Sequence, residues 1–218
     1  MPQPFDQSAY QVRLDWGVSG LERLAPADVV IVVDVLRFSS TVTDATAAGR
    51  TVPLEDAMAW SANGAAVAAA AQAEVVLLGC LRNASAAART VLAIQDRRQR
   101  RTSVAVVAAG ELTPEGGLRF AVEDHLGAGA IVAALGELGI DHTSPEAAAA
   151  GESARGLRRA LQHLLTASGS GRELAAGVPA TARIEASGVV PTGVAAAAEI
   201  DATDAVPVLR DSAFVAFV

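Results

Sequence analysis

The sequence predicts an α/β fold, a three-layer α/β/α arrangement with a largely parallel, mixed central sheet, built by residues 1–218 as one domain. Three observations carry that expectation. Residues 29–33, 74–78 and 102–109 are short apolar runs rich in β-branched side chains, as strands covered on both faces are. Each run is followed by a polar loop and then a helix-prone stretch, and repeated strand–loop–helix units give right-handed crossovers and parallel pairing. Apolar residues make up 51% of the chain but aromatics only 4%, so Ala-faced helices can pack closely on β-branched strands.

Taken in order, residues 10–16 alternate, with Tyr10, Val12, Leu14 and Trp16 on one face, the pattern of a half-exposed edge strand. Residues 29–33 predict a central strand. A helix over 39–48 follows, with Gly49 at its C-terminal cap. A short strand over 51–54 leads to helix-prone residues 55–73, broken by the turn dipeptide Asn63-Gly64. After the strand at 74–78, residues 79–82 turn, and Asn83 is placed to cap a helix over 84–99. The strand at 102–109 closes on Gly110 and Glu111. A Pro- and Gly-bearing loop at 113–117 leads to a helix over 120–138. Residues 143–176 read as helical, with Leu157, Leu161 and Leu164 predicted to face the core. Strands are expected at 206–209 and 213–218, and Pro207 predicts an edge position for the first.

Charge and composition exclude several classes. A net charge of −7 and a pI near 4.9 argue against nucleic acid as a partner, because phosphate contacts need a basic face. The one dense basic run, Arg97-Arg98-Gln99-Arg100-Arg101, reads as a solvated helix end beside that helix's negative pole. No apolar run reaches the ~18 residues of a membrane span, and the N-terminal residues lack the pattern of a signal peptide. The lone cysteine, Cys80, fits a reducing cytoplasm, and it reads as a buried residue. The Ala-rich helices leave a homo-oligomer open.

Polar groups gather in three loops that follow parallel strands, and ligands of such sheets bind at that edge. The first carries Asp34, Arg37, Ser39, Ser40 and Thr41, the second Arg82, Asn83 and Ser85. The third carries Glu111 and leads to Glu123 and Asp124. Arg37 with the hydroxyls and free helix N–H groups makes an anion site. Asp34, Glu111 and Glu123 or Asp124 supply the hard oxygens Mg²⁺ prefers. Metal plus anion cradle points to phosphoryl chemistry on a small anionic substrate.

Other phosphate sites are ruled down. The chain has no G-x-x-x-x-G-K-[ST] loop, and Gly169-Ser-Gly-Arg-Glu-Leu follows a helical stretch and does not fit G-x-G-x-x-G. Leu36 stands where a second acid would follow Asp34, so a metal-activated water is favoured over an aspartyl-phosphate. Cys80 lacks the Arg of a cysteine phosphatase loop. His125, His142 and His163 show no metal-ligand spacing.

The strings IVVDVLRFSST at 31–41, SANG at 61–64, LRNASAAA at 81–88, AGE at 109–111 and RFAVEDHLGAGAI at 119–131 resemble the 2-phosphosulfolactate phosphatase family. The resemblance implies a Mg²⁺-dependent hydrolase of 2-phosphosulfolactate, giving sulfolactate and phosphate on the route to coenzyme M. It implies catalytic roles for Asp34 and Arg37 and substrate contacts from Arg37, Ser39, Ser40, Asn63 and Asn83. Metal ligation would fall to Asp34, Glu111, Glu123 and Asp124. The chain departs from the family pattern between residues 57–60 and 61–64, where Gly-Glu-Arg-Gly-Gly and Gly-Asn-Ser-Pro elements are usual. A non-catalytic anion-binding or regulatory protein derived from the same fold is the competing expectation.

Overall fold

The computed structural model describes residues 3–218. β1 (Val12–Trp16) passes through α1 (Gly17–Arg23) to β2 (Val29–Val33), whose residues are all buried. α2 (Phe38–Ala47) ends just before Gly49, whose φ of +76° is the left-handed stop expected there. β3 (Val52–Pro53), α3 (Leu54–Trp60) and α4 (Gly64–Ala70) follow, then β4 (Val75–Gly79) and α5 (Ala84–Arg98). β5 (Val104–Ala108) leads into a small hairpin of β6 (Glu111–Leu112) and β7 (Leu118–Arg119), then α6 (Val122–Glu137). The chain continues through α7 (Pro145–Leu157), α8 (Leu161–Ala167), α9 (Gly169–Ala176), α10 (Pro179–Ala186) and α11 (Val194–Ala197). It closes with β8 (Pro207–Arg210) and β9 (Ala213–Ala216).

One seven-stranded sheet has the order β1-β5-β2-β4-β8-β9-β3. The first four are parallel, with Ile31 of β2 beside Val106 of β5 and Leu77 of β4. β8 pairs antiparallel with β4 and with β9, and β3 pairs antiparallel with β9. Side chains alternate across a strand, so β2 feeds two cores. Val29, Ile31 and Val33 join Val91, Leu126, Ile131 and Leu135 on one face. Val30 and Val32 join Phe38, Val42, Trp60 and Phe214 on the other. Each such side chain contributes roughly 1.5–3 kcal/mol by burial, so a charge at Ile31 would undo the centre of the sheet. On the first face Gly129 lets α6 cross α7 closely, because a Cβ there would meet the Ala150 carbonyl oxygen at 2.0 Å.

The three-layer architecture and the edge position of β1 are as expected. Four local expectations need correction. β8 lies inside the sheet, not at an edge; Pro207 is its first residue and faces Ala216 of β9, while β4 meets β8 one residue later at Val208. Leu157 is 41% exposed although Leu161 and Leu165 are buried, because a 3-10 turn at Arg158–Ala160 breaks the helical period between them. Asn83 precedes α5 but does not cap it; its Oδ1 turns back to accept the Cys80 N–H at 2.9 Å. The hairpin at Glu111–Arg119 and helices α10 and α11 were not foreseen. In the basic run, Arg98 and Arg100 pair with Asp28, and Arg98 also with Glu74, so own-chain acids absorb much of that charge. Cys80 is fully buried.

Candidate active site

Parallel strands β2 and β5 end side by side, and a cleft of about 240 Å³ opens where their following loops leave the sheet. That volume falls below the ~300–1,000 Å³ typical of drug-sized ligands, so the cleft suits a small substrate. Asp34 and Arg37 reach it from the loop after β2, and Glu111 from the end of β5's loop. Asn63 contributes from the turn between α3 and α4, Ser170 and Glu173 from α9, and Arg183 from α10.

Asp34 is the fixed point of this cleft. Its Oδ1 accepts the Phe38 N–H at 3.2 Å and its Oδ2 the Gly64 N–H at 3.1 Å. Burial pushes its carboxyl up to about 6, against those two N–H donors, and the charges of Glu111 and Glu123 push the same way. Glu111 is likewise raised, by burial first, while the Ser170 hydroxyl donates to its Oε2 at 3.2 Å and opposes the rise. Glu123 is 2% exposed and close enough to raise Asp34, Glu111 and Asp124 alike.

Asp124 belongs to the same acid cluster but has another task. Its Oδ1 accepts the Val35 N–H at 2.7 Å and its Oδ2 the Gly110 N–H at 2.9 Å. One carboxylate thereby ties together the chain exits of β2 and β5. Burial, with the charges of Asp34 and Glu123, raises its carboxyl well above the usual range.

The hydroxyls expected to hold an anion do not reach the cleft. Ser39 and Ser40 are fully buried. The Ser39 Oγ accepts the Asp34 N–H at 3.0 Å and donates to the Val32 carbonyl, and the Ser40 Oγ donates to the Val35 carbonyl at 2.8 Å. They shape the turn that presents Asp34. Arg37 does line the cleft, with its guanidinium donating to the Thr181 Oγ1 of α10. Burial lowers its pKa, and the charges of Glu185 and Asp34 oppose that.

The second polar loop serves packing. Asn83 is fully buried, donating from its Nδ2 to the carbonyls of Leu78 and Ala205. Arg82 pairs with Asp44 at 2.9 Å and with Glu199 at 3.0 Å. Ser85 bonds Asp201 through its N–H and its hydroxyl. Two of the three polar loops therefore meet at the cleft, while the other clamps residues 196–205 over the sheet.

Sequence reasoning missed Trp60, Ser170, Glu173, Thr181 and Arg183. A usable signal existed for α9: Ser168 caps it by accepting the Gly171 N–H, and Ser170 and Glu173, three apart, share a helical face. Nothing in α10 distinguishes Thr181 and Arg183 from ordinary surface residues until α10 is seen packed beside Arg37.

The donor set bears on a divalent cation. Asp34, Glu111 and Glu123 are hard oxygen donors; burial first, and then the charges of neighbouring acids, raise the carboxyls of Asp34 and Glu111, and a cation would relieve both. Among the described residues no three acid, His or Cys side chains close around one point as a full metal cage. Mg²⁺ is ordinarily held by one or two carboxylates, with waters and substrate oxygens completing its octahedron. The chemistry of the cleft fits that mode and not a protein-only cage.

Fold and cleft together define an α/β protein with a small, acid-floored, arginine-bearing pocket at the carboxyl edge of its parallel strands. Within that class the chain belongs to the 2-phosphosulpholactate phosphatase family, whose model matches residues 52–212. That span includes Asn63, Asn83, Glu111, Glu123 and Asp124, while Asp34, Arg37, Ser39 and Ser40 precede it. A search of curated proteins gave no match. No helix among the described residues is long and apolar enough to cross a membrane.

Proposed function

We propose that the chain hydrolyses a small anionic phosphate monoester, 2-phosphosulfolactate, to sulfolactate and phosphate, with Mg²⁺ as cofactor. The observation that carries this reading is the single cleft in which the raised carboxyls of Asp34 and Glu111 share a lining with Arg37. Asp34 and Glu111 would hold Mg²⁺, with the buried Glu123 adding negative charge nearby. When bound, the cation supplies charge neutralisation at the phosphoryl oxygens. Arg37, tethered by Thr181, grips the phosphoryl group with its fork of donors. The Ser170 hydroxyl and the Asn63 amide are close enough to the cleft to orient ester oxygens or an attacking water. Phe38, Trp60 and Ile184 form an apolar wall that limits water at the reacting bond, which strengthens each electrostatic contact there.

The purified chain with Mg²⁺ and 2-phosphosulfolactate is expected to release inorganic phosphate. Chelation, or Asp34→Asn, should reduce the rate by about 100-fold or more. A rate untouched by both would sink the reading. The missing Gly-Glu-Arg-Gly-Gly and Gly-Asn-Ser-Pro elements between residues 57–60 and 61–64 favour, as a second reading, an anion binder without turnover. Thermal stabilisation by phosphate or sulfolactate without phosphate release would select it.

A further inference from the structure

The parallel pairing of β2 and β5 runs out where the cleft begins. There the Ala109 N–H donates to the Val33 carbonyl at 2.8 Å. Just beyond, the N–H groups of Val35 and Gly110 turn to one side chain, Asp124 of α6, at 2.7 and 2.9 Å. Each belongs to the residue next to a cleft acid, since Asp34 precedes Val35 and Glu111 follows Gly110. Asp124 itself is 3% exposed and takes no part in the cleft lining, where Asp34 and Glu111 do. α6 comes this close because residue 127 has no side chain. A Cβ on Gly127 would fall 2.5 Å from the Val35 Cγ2 and 3.0 Å from the Val33 Cγ1. Any larger residue would push the first turn of α6, and Asp124 with it, off the exit of β2.

A carboxyl group whose two oxygens each accept a buried N–H is fixed at both ends and fixes both chains in turn. Where the ladder no longer sets the separation of the two strands, a side chain does. That separation decides how well two carboxylates can share one small cation, because Mg²⁺ demands oxygens at about 2.0–2.1 Å in a near-ideal octahedron. Groups that orient metal ligands typically carry 10–100-fold of the metal affinity. We infer that Asp124 is a positioning residue that fixes the spacing of Asp34 and Glu111 for the cation, and is not itself a ligand. The inference rests on the phosphatase reading for its cation, whereas the clip between Val35 and Gly110 is independent of it.

The probe is Mg²⁺ alone, titrated by calorimetry into the full chain at a temperature where each variant is folded. Asp124→Asn keeps the side-chain volume but sets an amide NH₂ against one of the two N–H donors. It is expected to raise the Kd for Mg²⁺ by about 10- to 100-fold. Gly127→Ala, which leaves every acid in place, should raise it several-fold. Asn83→Ala, destabilised by lost packing alone, should keep the wild-type Kd. With Mn²⁺ as the probe, water-proton relaxation counts the waters on the bound ion, and Asp124→Asn should leave that count unchanged. An added water in Asp124→Asn would make Asp124 a ligand and overturn the inference. A wild-type Kd in folded Asp124→Asn, or an equal weakening in Asn83→Ala, would overturn it too. If the wild-type chain binds neither ion, the cation reading fails by itself, and the clip is judged by amide hydrogen exchange. Asp124→Asn should then speed exchange at Val35 or Gly110 by about 10-fold or more, the worth of one lost hydrogen bond, and leave Ile31 and Val106 unchanged. Unaltered exchange at both Val35 and Gly110 would reject the positioning role.

Discussion

The Gly64 N–H donates to the Asp34 Oδ2 at 3.1 Å, and a Cβ on residue 64 would fall 2.6 Å from that same oxygen. The absence of a side chain at 64 is therefore what lets the backbone of α4 approach the carboxylate. The added atom would also come within 2.5 Å of the Phe38 ring, so neither neighbour can yield without moving the turn after β2. Gly64→Ala is expected to destabilise the protein by about 1–3 kcal/mol, the usual cost of overpacking a filled core. Any phosphatase activity should fall with it, since Asp34 must shift. Denaturant melts alongside phosphate release check both. A variant with wild-type midpoint and rate would show that the approach is not needed.

The raised carboxyl of Asp34 makes a prediction about pH. Its pKa is about 6 in the folded chain, against an ordinary value of 3.8. The folded state therefore holds this proton more tightly than the unfolded state does. Linkage then gives stability that is fully present below about pH 4 and is lost as pH rises through 6. The difference amounts to about 3 kcal/mol, or roughly 6–12 °C in Tm for a chain of this length. Glu111 and Asp124, raised in the same direction, deepen the fall. Thermal melts in chelator between pH 4 and 8 should show it, and Asp34→Asn should flatten much of the slope. A wild-type Tm that rises across this range would reject the assignment. Added Mg²⁺ is expected to restore stability at the alkaline end, because ionised carboxylates then gain a partner.

The fold was more legible than the site, and particular residues show why. Strands β2, β4 and β5 announce themselves as short β-branched runs because both faces are covered, and the polar loops that follow them mark their ends. Asp34 and Glu111 are legible as cleft residues because they sit where such strands end, the edge at which ligands of parallel sheets bind. Ser39, Ser40 and Asn83 look identical in sequence to ligand-binding residues. Each is a short polar side chain after a strand, and whether it bonds a ligand or its own backbone depends on which way one rotamer turns. Asp124 likewise reads in sequence as a metal-ligand candidate, while both its carboxylate oxygens accept backbone N–H groups of Val35 and Gly110. Arg183 and Thr181 were invisible because α10 lies far along the chain and reaches the cleft only through packing on α3, a long-range event that no local pattern encodes.

Asn83 offers the sharpest separation between a binding and a packing role. Its side chain accepts the Cys80 N–H at 2.9 Å and donates to the carbonyls of Leu78 at 3.2 Å and Ala205 at 3.0 Å. It thus joins the end of β4 to the segment entering β8, and Asn83, Leu78 and Cys80 are fully buried. Truncation leaves the Cys80 N–H and the Leu78 carbonyl without that partner in a site closed to water, and the half-buried Ala205 carbonyl loses it too. Each unpaired group costs on the order of 1–3 kcal/mol. Asn83→Ala is therefore expected to lower stability by about 2–5 kcal/mol, with Asn83→Asp also destabilising because the new carboxylate meets the Leu78 and Ala205 carbonyls without a donor. Among molecules that remain folded, KM for the phosphate ester should match the wild type. Stability from denaturant melts and KM at a temperature well below the variant's midpoint test the two halves separately. A raised KM with an unchanged midpoint would return Asn83 to the substrate site. A lowered midpoint with an unchanged KM fixes it as the residue that fastens the antiparallel β8–β9 pair to the parallel half of the sheet.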